Sequence, residues 1–150
     1  MPLLNYTTKI EASKTVNEIQ VILAKHGARS ILTEYDDAGL LKALSFIVPT
    51  PRGDAEIRLP TDPDVVLKVI TNQNRLGKIP RTFVNKPQAV RVAWRIVKDW
   101  VEAQMAILET EMVKMEQIFL PYVVTRNGQT LFEVYNSKNL LTQGKADNND

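Results

Sequence analysis

The chain has 150 residues, 44% of them apolar and 24% charged, the size and balance of one globular domain able to bury its own core. It has no cysteine, which excludes disulfides, thiolate metal sites and cysteine nucleophiles and fits a reducing, cytoplasmic setting. The formal net charge is +2, no window approaches the ~20 apolar residues of a membrane span, and the opening Met1-Pro2-Leu3-Leu4-Asn5 does not read as a signal peptide.

Residues 5–11 alternate loosely and are expected to form a short edge strand. A helix follows. Thr15 and Glu18 have capping-box spacing, Val16, Ile19, Ile22 and Leu23 form its apolar stripe, and His26-Gly27 closes it. Ser30–Tyr35 and Leu41–Val48 read as strands around the turn residues Asp36-Asp37-Ala38-Gly39, with a third strand over Ala55–Leu59. A second helix opens with Thr61 as its cap and Pro63 in its first turn, and Gly77 stops it. A connector, 78–86, leads to the longest element. No helix breaker occurs from Pro87 to about Gln117, and Trp94, Val97, Val101, Leu108, Met112 and Met115 recur at heptad-like spacing. Asn127-Gly128, between Tyr122–Thr125 and Thr130–Tyr135, predicts a closing hairpin. The expected fold is therefore α+β: a two-layer β-α-β-β-β unit, two helices, the last one long, and a C-terminal β-hairpin. Residues 1–136 form a single domain and 137–150 a polar, flexible tail.

Catalytic patterns are missing from the sequence. His26 is the only histidine, and its place in the last turn of a helix suits a capping role, where an imidazolium complements the helix dipole. Asp36-Asp37 lies in turn chemistry, and Asp62 and Asp64 open a helix, so both acidic pairs have backbone explanations. There is no phosphate-binding glycine loop, dinucleotide fingerprint or nucleophile elbow. No enzyme, metal or cofactor is expected.

Charge distribution is the one functional signal. From Val65 to Lys98 there is no Asp or Glu, while Lys68, Arg75, Lys78, Arg81, Lys86, Arg91, Arg95 and Lys98 lie there; removing those eight charges from +2 leaves −6 for the rest. Arg91, Arg95 and Lys98 fall within an arc of ~60° on a helix of roughly 3.6 residues per turn. They occupy its N-terminal part, where cations oppose the dipole. Arg75, Lys78, Arg81, Lys86, Arg91, Arg95 and Lys98 are therefore the expected phosphate contacts, with Phe83 as a side chain able to stack on an unpaired base. The plainer alternatives are a solvated helix face and a Phe83 that anchors the connector in the core.

The words Thr15-Val16-x-Glu18-Ile19, His26-Gly27-Ala28, Glu34-Tyr35, Leu44-Ser45-Phe46, Arg58-Leu59-Pro60, Ala93-Trp94-Arg95, Asp99-Trp100 and Leu120-Pro121-Tyr122 resemble those of small uncharacterised proteins of bacteriophages and integrated mobile elements. The resemblance implies a mobile-element setting and no particular activity. Together these readings predict a non-enzymatic nucleic-acid-binding protein, directed to single strands or to the backbone and serving mobile-element DNA metabolism. The alternative is a protein-interaction module, either a homodimer through the long helix or an inhibitor of a host protein. No membrane partner is expected.

Overall fold

The computed structural model describes residues 1–138. Its elements are α1 (Ala12–Lys25), β1 (Ser30–Tyr35), β2 (Leu41–Thr50), β3 (Gly53–Arg58), α2 (Pro63–Arg75), a 3-10 turn at Arg81–Phe83, α3 (Lys86–Glu109), α4 (Met115–Phe119), a second 3-10 turn at Leu120–Tyr122, and α5 (Leu131–Lys138). The chain is α+β, with five α-helices and one three-stranded antiparallel sheet in the order β1-β2-β3 among the described residues.

The sheet follows the strand pattern closely. Leu44, Phe46 and Val48 alternate along β2 toward the buried side, opposite Ile57 and Ala55 of β3. Asp36 holds the first hairpin turn, its Oδ1 accepting from the N–H groups of Ala38 and Leu40 at 2.9 Å each. The second turn is tighter than expected: β2 runs on to Thr50 and β3 begins at Gly53. Only Pro51 and Arg52 separate the strands, and Gly53 takes φ +112°.

α3 is the hub. Its Val90, Trp94, Val97, Val101 and Met105 join Val16, Ile19 and Leu23 of α1 and the inner face of the sheet in the main core. Trp94 is fully buried, and its indole N–H donates to the Leu41 carbonyl at 3.1 Å. A smaller core of Ile70, Ile79 and Val92, with Tyr6, Phe83 and Ile96 packed against it, ties α2 and the connector to another side of α3. The apolar arc of the long helix is thus covered by its own domain along Trp94, Val97 and Val101, while Met112, a later heptad position, lies beyond the end of α3 and is exposed.

Several expectations need correction. Residues 5–11 form no strand: a turn at Asn5 (φ +65°) makes the segment a strap over α2 and α3. The strap is fastened by Gln73, which accepts the Leu3 N–H at 2.8 Å, and by buried Gln88, which donates to the carbonyls of Tyr6 and Thr8 at 2.8 and 3.0 Å. α1 begins at Ala12, upstream of the predicted cap; Thr15 is inside the helix and fully buried, so it caps nothing. Asp62, not Thr61, caps α2, accepting from the N–H groups of Asp64 and Val65.

α3 ends at Glu109 although no Gly or Pro stops it, and Glu111 adopts φ +62° in the break. The turn sends α4 back to the core, where Phe119 is fully buried with edge-to-face contacts to Phe46 and Trp100. Burying a phenylalanine is worth roughly 1.5–3 kcal/mol, more than continued helix in solvent gains. The closing hairpin is reduced to one bridge, Val124 with Thr130 around Gly128, and residues 131–138 are helix α5. The predicted flexible tail falls mostly on 139–150, outside the described residues.

Candidate nucleic-acid interface

The structure divides the eight predicted site residues. Asn85 caps α3, its Oδ1 accepting the Gln88 N–H at 2.8 Å. Lys86, in the first turn, is ion-paired with Asp64 of α2. Arg95 packs against α1, where its Nη1 meets Glu18 Oε2 at 2.7 Å and Thr15 Oγ1 at 3.4 Å, and its side chain is 17% exposed. Lys98 lies along its own helix with Nζ 2.8 Å from Glu102 Oε2. Arg91 is half-buried and donates through Nε to Gln88 Oε1 at 3.0 Å. The i, i+4, i+7 stripe of α3 shares a face, as its spacing implies, but Arg95 in its middle is turned against α1, and Arg91 and Lys98 are engaged by side chains of α3 itself. Arg95 and Lys98 are balanced locally and do not stand as free phosphate contacts.

Phe83 is also placed by the core. Its ring lies 5.4 Å from that of Tyr6, nearly perpendicular to it, within the small cluster around Ile70 and Val92. This packing fits the anchoring role, with the ring left partly buried.

Arg75, Lys78 and Arg81 remain exposed, and Lys68 joins them. Among the described residues no carboxylate lies within ion-pair distance of any of the four. Lys68 and Arg75 line one shallow groove of about 740 Å³ along the outer side of α2, together with Leu67, Thr71, Asn72 and, toward the start of the helix, Asp64, the partner of Lys86. Positions 68, 71, 72 and 75 recur at three- and four-residue steps and so share one helical face. Asn72 accepts from Arg75 Nη2 at 2.6 Å, which holds the guanidinium against that face. Lys78 and Arg81 follow on the connector, beyond the turn at Gly77 (φ +75°). Lys68 was visible in the sequence as part of the acid-free run.

A second concavity, about 560 Å³, lies between the β1–β2 turn and the first turns of α2 and α3, lined by Asp36, Lys42, Asp62, Asp64 and Lys86 among others. Its aspartates are already engaged: Asp36 in the turn, Asp62 as a cap and Asp64 with Lys86. Among the described residues no group of three or more His, Asp or Glu side chains could hold a metal ion. His26 sits at the C-terminal end of α1, with Nδ1 2.8 Å from the Ile22 carbonyl and Nε2 3.2 Å from Glu109 Oε1. It joins the ends of α1 and α3. No helix of the described residues is long and apolar enough to cross a membrane.

The chain matches no protein-family model, and no curated protein or solved structure shows significant similarity to it.

Proposed function

We propose that the protein binds a nucleic-acid backbone through the outer face of α2 and the connector behind it, with Lys68, Arg75, Lys78 and Arg81 as the phosphate contacts. The observation that carries this reading is the group of four exposed cations with no carboxylate paired to any of them in the described residues. Arg75 and Lys78 also lie at the C-terminal end of α2, where a cation offsets the helix dipole. That effect fades within a turn and does not account for Lys68 or Arg81. Each neutralised phosphate releases condensed counterions, which makes an exposed cationic strip an effective non-specific binding surface. With Phe83 packed against Tyr6 and partly buried beside the small core, backbone contact is favoured over base stacking. A role in mobile-element DNA metabolism rests on the resemblance of the sequence words alone.

Fluorescence anisotropy with single- and double-stranded oligonucleotides over a salt series tests the proposal. Four phosphate contacts should give a log–log salt slope of roughly −3 to −4, from ~0.7 to ~0.9 ions per phosphate. Arg75→Glu with Arg81→Glu should weaken binding at least ~30-fold, while Arg95→Gln with Lys98→Gln should leave it within about twofold. Binding that survives the first pair of reversals, or no binding by the unmodified chain, rejects the assignment.

A further inference from the structure

The two edges of the sheet are treated differently. On the β3 side the chain returns to cover the edge: Val123 bridges to Ile57, and the Val124 N–H donates to the Glu56 carbonyl at 2.8 Å. On the β1 side nothing in the described residues does so. The backbone of residues 30–35 hydrogen-bonds only within its pairing to β2. Natural edge strands are usually blunted by Pro, by charged side chains, Lys above all, or by a bulge. β1 has neither Pro nor Lys, and its one charge, Glu34, and its one irregularity, between Glu34 and Tyr35, both lie at its end. Leu32 and Tyr35 stand 56% and 59% exposed beside this open ladder.

We propose that β1 pairs antiparallel with β1 of a second copy of this chain, joining two three-stranded sheets into one of six strands. Charge along the strand selects this occupant. Arg29 stands at one end and Glu34 and Asp37 at the other, all three exposed. Antiparallel pairing about a two-fold axis near Leu32 and Thr33 lays each Arg29 beside the acidic end of the other strand, twice over. Parallel pairing would set like charges side by side. The present partner of Arg29 is Asp54 at 3.5 Å, with both side chains more than half exposed, so the exchange costs little. This interface lies on the sheet and does not depend on the nucleic-acid reading of α2.

Sedimentation equilibrium of the full chain up to about 500 µM should show a reversible monomer–dimer equilibrium, weak as befits a small interface. Arg29→Glu should weaken it at least ~10-fold, and so should Glu34→Lys with Asp37→Lys, because each variant alone opposes like charges at both ends. Mixing the two variants should restore association as a heterodimer. Amide exchange in residues 30–35 should slow as concentration rises. A monomer at every concentration, a dimer indifferent to either variant, or variants that fail to associate when mixed would each overturn the proposal. Circular dichroism of each variant separates lost pairing from lost folding.

Discussion

Between Lys68 and Arg81 the cations stand in solvent, whereas between Lys86 and Lys98 three of four are held by carboxylates and the fourth by Gln88. Both halves belong to the same acid-free run and look alike in sequence. They differ in neighbours. α3 packs beside α1 in the core they share with the sheet, so Glu18 reaches Arg95 from a helix that ends at Lys25, far earlier in the chain. α2 contributes little beyond Ile70, Val66 and Pro63 to the interior and keeps its other side in water. A run without acids in sequence is therefore not a run without acids in space.

The sharpest way to break this contrast is to remove what locks the second half. Trp94→Ala should cost about 3–5 kcal/mol by urea denaturation, the usual range for a fully buried aromatic, and should loosen α3 from both α1 and the sheet. A cost under about 1 kcal/mol would mean that α3 is not the hub. Phe83→Ala comes next, at roughly 2 kcal/mol, since its ring is only partly buried. Because the ring anchors the connector, oligonucleotide affinity should fall only by the amount that the connector loosens. A large affinity loss at unchanged stability would restore Phe83 as a stacking residue.

Smaller effects sharpen the same contrast. Glu18→Gln removes the carboxylate facing Arg95, whose side chain is mostly buried. The expected cost is about 1–2 kcal/mol, from a charge-assisted hydrogen bond reduced by the partner's exposure. Freed from its acid, Arg95 should also raise oligonucleotide affinity slightly, by no more than ~3-fold; a larger rise would show that the α3 stripe can act as a site. Lys98→Ala should be the weakest, about 0.5–1 kcal/mol: its i, i+4 pair with exposed Glu102 is worth a few tenths, and the largely covered Lys98 stem loses packing besides. It should leave binding unchanged.

Much of the framework was legible because its signals are local. Asp36 and Gly39 made the first hairpin, Asn85 and Pro87 the start of α3, and His26-Gly27 the end of α1. The errors fall where a local signal had to compete with packing. Leu131–Tyr135 has strand-like residues, but a strand needs a partner with a free ladder. The expected partner, Tyr122–Thr125, begins inside a 3-10 turn and offers too short a ladder, and a helix satisfies its own backbone. Asn5–Glu11 alternates loosely, yet its polar groups are claimed by Gln88 and Asp99.

Local chemistry alone was enough to determine the class of the fold, the three strands, the two principal helices and the positions of the eight cations, because turns, caps and periodicity act over a few residues. Only the tertiary structure decided which cations are free, where the long helix stops and which sheet edge is open. Those outcomes depend on groups brought together from distant parts of the chain: Glu18 on Arg95, Phe119 between Phe46 and Trp100, and Val123 on Ile57. Such contacts leave no trace in the spacing of neighbours.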